Sequence, residues 1–231
     1  MAFRFKQFSV TDTKSAMKVG VDAVMLGAWA DANNAKKILD VGAGTGLLSL
    51  MLAQCNANTQ VDCIELNNDA FVDLQYNIKE SNWSNRLNAI NADFLEYDFN
   101  SKYDFIISNP PFFKASDSKI SNSRKTARIA DSLNPFVLSN KVSDIISDNG
   151  KFVIIYPFER RLFFIKAAFA NGLYLYKQLI ISDTKSNPPV RCILCFTKET
   201  VMVVSQESII MKKDNGDYTE EFMELTEEFY L

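Results

Sequence analysis

KKILDVGAGTGLLSLMLAQ, residues 36–54, is the stretch that decides the fold. Its first seven residues form a short apolar run ending in glycine, which predicts a buried strand that breaks into a turn. Leu47 to Gln54 predict the helix that follows. Between them, Gly42, Gly44 and Gly46 alternate behind Asp40. Glycines at such a corner permit a tight turn and let a ligand approach the backbone with no side chain in the way. Strand–turn–helix corners of this kind also serve nicotinamide cofactors and nucleotide phosphates. The spacing here is not that of a phosphate loop, and no lysine follows to hold a phosphate.

The order Asp40-x-Gly42-x-Gly44-x-Gly46 instead resembles that of Rossmann-like methyltransferases. That resemblance implies S-adenosylmethionine, a sulfonium cofactor without phosphate. Glu65 ends the next predicted strand, TQVDCIEL, 25 residues after Asp40. An acid there suits both hydroxyls of a ribose. Asp93, in NADFLEY, falls where such enzymes bond the adenine amine; as a cap or loop acid it has an equal claim.

Outward from this unit, strands and helices alternate. YDFIISNPP, KFVIIYP, YLYKQLIISD and RCILCFTK read as strands, with VMVVS (201–205) as a further one. Helical stretches are expected over 68–80, over FVLSNKVSDIISDNG (136–150) and over ERRLFFIKAAFANG (159–172), and a long polar loop over 114–134. The pattern predicts an α/β fold with a mainly parallel sheet covered by helices on both faces. The resemblance to Rossmann-like methyltransferases implies the class I methyltransferase type, with a seven-stranded, mostly parallel sheet. No linker-like composition divides residues 1–231, so one domain is expected, flanked by an N-terminal segment (1–30) and an acidic C-terminal one (214–231).

Asn109-Pro110-Pro111-Phe112 closes the YDFIIS strand, where ligands of open α/β sheets bind. Two prolines alone would merely end a strand. An amine conjugated to a ring is a poor nucleophile because its lone pair is delocalised. Two acceptors aimed at its hydrogens, the Asn109 side-chain oxygen and the Pro110 carbonyl, favour a more tetrahedral nitrogen. Phe112 offers a face for the flat base to stack on. The motif suits adenine N6, guanine N2 and a glutamine side-chain amide equally. A module that binds the cofactor without catalysis is the reading from another class, and the intact motif argues against it.

Composition narrows the chemistry. With no histidine in 231 residues, neither a Ser-His-Asp machine nor a histidine zinc site is available. Cys192 and Cys195 lie two residues apart in a strand-like run with no second pair, so core cysteine is expected and no metal. The start lacks a secretory pattern and no run is long enough to span a membrane, so a cytoplasmic chain is expected. The net charge of −3 is uneven: seven of the 28 acids and none of the 25 bases lie after Lys213. Bases gather at Arg4, Lys6, Lys14 and Lys18, and at Lys114, Lys119, Arg124, Lys125 and Arg128. Both clusters suit phosphate, although a basic face is more often plain solvated surface.

Phe3-Arg4-Phe5-Lys6-Gln7-Phe8 and the block from Ala16 to Trp29 (AMKVGVDAVMLGAW) closely resemble the bacterial tRNA1(Val) adenine-37 N6-methyltransferase family. The resemblance covers almost the whole chain. It implies a tRNA substrate, methylated beside the anticodon, and no obligate protein partner is evident. It also implies that Lys18, Gly20 and Asp22 line the cofactor's methionine end, and it makes Arg128 and Arg191 candidates for holding RNA phosphate or bracing the loop after Phe112; Lys114 and Arg124 join them as RNA candidates from the basic cluster. Phe112 departs from the tyrosine commoner in adenine enzymes, losing a hydroxyl but keeping the stacking face. The acidic C-terminal segment would repel RNA near the site, so it is expected to fold away or to be mobile.

Overall fold

The computed structural model describes residues 2–15, 18–111 and 134–230. An N-terminal hairpin, β1 (Ala2–Arg4) and β2 (Ser9–Thr11), precedes α1 (Val21–Trp29). Then come β3 (Lys37–Val41), α2 (Leu47–Cys55), β4 (Gln60–Glu65), α3 (Asn68–Glu80), β5 (Leu87–Asn91) and β6 (Tyr103–Ser108). The C-terminal half supplies α4 (Pro135–Ile145), β7 (Ile146–Pro157), α5 (Arg161–Ala170), β8 (Tyr174–Ser182), β9 (Arg191–Thr197), β10 (Ser205–Ile210) and α6 (Glu220–Thr226).

Alternation along the strands builds the layers. Ile38, Phe105, Ile107, Val153 and Ile155 face one buried cluster, shared with α1, α2 and α3. Their neighbours Leu39, Ile106, Phe152 and Ile154 face the other, shared with α4 and α5. A strand that is apolar on both sides has to be covered on both, and this is why these runs lack polar alternation. The central sheet has the order β10-β8-β9-β7-β6-β3-β4-β5, with β9 antiparallel to both neighbours and the other pairs parallel. Gly27 lets α1 lie close on α2, since a Cβ there would stand 2.6 Å from Met51 Sδ.

Three expectations change. The sheet has eight strands, because β10 adds to the edge in parallel with β8. That strand starts at Ser205, where Gln206 meets Gln178 and Glu207 meets Lys177; Met202 and Val203, expected in a strand, stand almost fully exposed before it. The helix expected over 136–150 stops at Ile145, because fully buried Ile146 already pairs with Tyr103, and an irregularity carries the strand on to Lys151. The paired cysteines behave as core residues. Cys192 packs into one cluster and Cys195 into the other, so their thiols point to opposite faces, and burial raises both to about 12.

Candidate active site

Four parallel strands end side by side and bring the expected residues to one edge. Val41 is in register with Ile64 and with Ser108, and Glu65 with Asn91. The glycine corner, Glu65, Asp93 and Asn109 therefore all follow the carboxyl ends of neighbouring strands, the location where this class of sheet binds ligands.

The corner is held by backbone and carboxylate. Gly42 and Ala43 donate to the Ile64 carbonyl at 2.9 and 3.0 Å, prolonging the ladder past β3, and Gly46 donates back to Ala43 at 2.8 Å. Gly42, Gly44 and Gly46 all have positive φ. At Gly46 (φ 84°) a Cβ would also lie 2.7 Å from Leu74 Cδ1, so α3 packs directly on the corner. At Gly42 a Cβ would meet nothing within 4 Å, and at Gly44 only the Gly42 carbonyl at 4.0 Å. The space above the corner is open to a ligand.

Glu65 clamps that corner. Its Oε2 accepts the Gly44 N–H at 2.8 Å and its Oε1 accepts the Asn67 N–H at 2.7 Å. Burial pushes its pKa up, and these backbone donors pull it down. A carboxylate has about four acceptor positions, so two remain for the hydroxyls of a ribose. Asp40 is fully buried. Its Oδ2 accepts the Ser49 hydroxyl at 2.6 Å, its Oδ1 has no partner among the described residues, and burial raises its pKa to about 7. It braces the corner from beneath. Asp93 caps a turn by accepting the Leu95 N–H at 3.0 Å through Oδ1; its carbonyl takes the Glu96 and Tyr97 N–H groups. This is the capping behaviour that competed with the adenine role, and it leaves Oδ2 unengaged.

Asn109 emerges where Ser108 pins β6 to β3, its hydroxyl donating to the Val41 carbonyl at 2.9 Å. Pro110 is buried and Pro111 half-buried, so the backbone leaves the strand in a fixed direction. The half-buried Asn109 side chain makes no hydrogen bond to any described residue, and its amide oxygen is free to accept from a substrate. Phe112, Lys114, Arg124 and Arg128 lie outside the described residues.

Residues 18–22 reach the edge by another route. Arg191 starts β9 opposite Pro157, beyond the β7 residues level with Ser108, and its Nε donates to Asp22 Oδ2 at 2.9 Å. Arg191 and Asp22 are thus engaged with each other, joining the first turn of α1 to the sheet. Gly20 caps α1 through its carbonyl, and exposed Lys18 pairs with Asp12.

Three residues of this framework are absent from the sequence reading. Asp73 accepts from the Thr13 hydroxyl and from the Lys14 and Ser15 N–H groups. Asn77 exchanges hydrogen bonds with Thr11 and donates to the Thr45 carbonyl of the glycine corner at 2.9 Å. Ser49 supports Asp40. A signal for the first two was present. Asp73 and Asn77 interrupt the buried stripe of α3 formed by Ala70, Leu74 and Ile78, and polar residues on such a stripe require partners.

The residues fit a nucleoside sulfonium: an open corner, no cation within residues 40–46, and a carboxylate placed for a ribose. Among the described residues no cluster of Cys, Asp and Glu could hold a metal ion, and no helix is long and apolar enough to cross a membrane.

Known proteins agree with this geometry. Residues 15–133 match the methyltransferase small domain family. A tRNA1(Val) (adenine(37)-N6)-methyltransferase of Bacteroides fragilis is 38% identical, with 99% of this chain and 97% of the relative aligned. Those of Trichodesmium erythraeum (36%; 99% and 97%) and Aliivibrio fischeri (39%; 100% and 97%) are similar to the same extent. Among solved structures, a predicted O-methyltransferase from Agrobacterium tumefaciens superposes with a TM-score of 0.71 at 16% identity, covering 90% of this chain and 96% of that one. A putative RNA methyltransferase from Pyrococcus horikoshii gives 0.55 at 24% identity, covering 78% and 82%. At these identities the structural likeness speaks for the fold.

Proposed function

The chain belongs to the tRNA1(Val) (adenine(37)-N6)-methyltransferase family, and from that membership we infer that it methylates the N6 amine of an adenine in tRNA, with S-adenosylmethionine as donor. The observation that carries the reading to the chemistry is Asn109, an unengaged amide acceptor at the carboxyl edge, one strand away from the glycine corner.

When bound, the sulfonium supplies an electrophilic methyl group, whose C–S electrons remain on sulfur as the new N–C bond forms. The chain's own residues prepare the nitrogen. The Asn109 Oδ1 and the Pro110 carbonyl accept from the two amine hydrogens and draw the lone pair out of conjugation. Phe112 supplies the stacking face. As the bond forms the nitrogen becomes cationic and acidic, so its proton leaves to solvent along the same acceptors. No strong base is required, consistent with a chain that has no histidine. Glu65 holds the ribose, and Asp93 the adenine amine of the donor through its remaining oxygen. Lys18, Gly20 and Asp22 form the far wall, kept in place by Arg191. Lys114, Arg124 and Arg128 are proposed to meet RNA phosphates. A tRNA substrate supports a cytoplasmic location for the chain.

Asn109→Ala tests this directly. Removing a preorganised acceptor aimed at the reacting group lowers kcat by about 10²–10³-fold. The dissociation constant for S-adenosylhomocysteine should stay within twofold. Loss of cofactor binding in step with kcat would show that Asn109 only maintains the fold.

A further inference from the structure

The N-terminal hairpin, the entry to α1 and the C-terminal helix enclose a groove of about 770 Å³, within the ~300–1,000 Å³ range of small-ligand sites. Its floor is Phe222, 1% exposed, on which Tyr218 stacks at 4.3 Å and 16°. That covers one face of Tyr218 and leaves the residue 40% exposed. Phe3, 41% exposed, rises on the opposite wall against Phe5 and Tyr230. Two walls are tied together by the Lys6 N–H, which donates to the Phe229 carbonyl at 2.9 Å, and Gln54 Nε2 of α2 holds the C-terminal segment by donating to the Glu228 carbonyl at 2.9 Å.

Charge distinguishes this groove from a plain apolar cleft. Arg4 on its rim is exposed and pairs with no acid among the described residues. Among the described residues the Lys6 ammonium pairs with no acid and donates to a carbonyl, that of Glu227. Of the acids that make the C-terminal segment so negative, Glu227 alone lines the groove; Glu220, 82% exposed at its side chain, turns outward toward Lys213. Apart from Glu227, the segment therefore keeps its acids off the groove and its aromatics inward. The third wall is Val19, Gly20 and Val21, inside the 18–22 segment that Arg191 anchors at the carboxyl edge. The groove thus shares a strip of chain with the segment that Arg191 ties to the sheet.

Open aromatic faces beside an unpaired guanidinium suit a flat base and its phosphate, and the scarcity of free polar atoms leaves nothing to read the base's edges. We propose that this groove binds an unpaired nucleotide of the RNA next to the one being methylated, stacking its base on Phe3 and Tyr218 and its phosphate on Arg4, without regard to base identity. This rests on the tRNA reading above.

The test uses the full chain and a synthetic anticodon stem-loop RNA. Phe3→Leu keeps the packing and removes the π-face, and is expected to raise KM for RNA about tenfold. Phe3→Tyr restores it. Arg4→Gln should flatten the dependence of log KM on log salt by about 0.7, the slope lost per single-strand phosphate contact. Affinity for S-adenosylhomocysteine should be unchanged throughout. One abasic substitution beside the target base should reproduce the Phe3→Leu loss and add nothing in that variant, while exchange of that base for any other costs little. The proposal is overturned if both variants keep the parent KM and salt slope, or if every abasic loss adds fully to that of Phe3→Leu. It is equally overturned if the parent sediments as a dimer that Phe3→Leu dissociates, since a second copy then fills the groove. A parent that methylates no RNA removes the tRNA reading itself, and this proposal with it.

Discussion

Replacing Glu65 by glutamine separates two duties that one carboxylate performs. The carboxylate takes the Gly44 N–H at 2.8 Å and the Asn67 N–H at 2.7 Å, one on each oxygen. Glutamine retains a single acceptor oxygen, so its amide NH₂ must face one of those N–H groups, donor against donor. Losing a hydrogen bond to a charged group costs about 1.5–3 kcal/mol. For a chain of this size that corresponds to a melting temperature lower by roughly 3–12 °C. A ribose hydroxyl facing the same NH₂ can accept from it, but a charge-assisted bond becomes a neutral one, which weakens the cofactor by about 5–15-fold. Differential scanning calorimetry reads the first quantity and calorimetric titration with S-adenosylhomocysteine the second. A lowered melting temperature with affinity within threefold of the parent would refute the ribose role and leave Glu65 as a clamp on the glycine corner.

Other substitutions probe the supports. The Asp22–Arg191 pair is about one-third exposed on each side, so it adds at most about 1 kcal/mol to stability. Arg191→Ala should therefore lower the melting temperature by no more than about 2–4 °C while raising KM for the cofactor several-fold; a pure stability loss with unchanged KM would count against a positioning role. Asp40 titrates near 7 when folded, against 3.8 for its unperturbed side chain. Between those values the native chain holds a proton that the unfolded chain has lost, so this group makes stability fall as pH rises from about 4 to 7 and then level off. Asp40→Asn should gain on the parent by at most about 4 kcal/mol across that window in urea denaturation, and parallel stability curves would contradict the buried, raised carboxyl.

The parts of the fold that could be read in advance are those that local physics dictates. The glycine corner at 42–46 announces itself because three positive-φ positions in five residues admit little else. Asn109 to Pro111 were legible because prolines fix where a strand must stop. The eighth strand was not: β10 has four exposed residues out of six, and the apolar stretch that resembled a strand, Val201 to Val204, lies just before it. Partners distant in sequence were hidden for the same reason. Nothing local tells Arg191 that Asp22 lies 169 residues away, or Asn77 that it will hold Thr11 and Thr45 together. The hairpin of β1 and β2 was equally unforeseen, because three-residue strands carry too short an alternation to identify. The acidic C-terminus was expected to fold away or to be mobile. It packs on the N-terminal hairpin through its aromatic face, with Glu220 turned outward toward Lys213.

The most direct test incubates the purified chain with labelled S-adenosylmethionine and two transcripts of tRNA1(Val), one with adenine at position 37 and one with guanine, followed by nucleoside identification. The account predicts N6-methyladenosine from the first transcript and no label in the second. Methyl-guanosine from the second, or label in a protein acceptor with both transcripts unmodified, would contradict it.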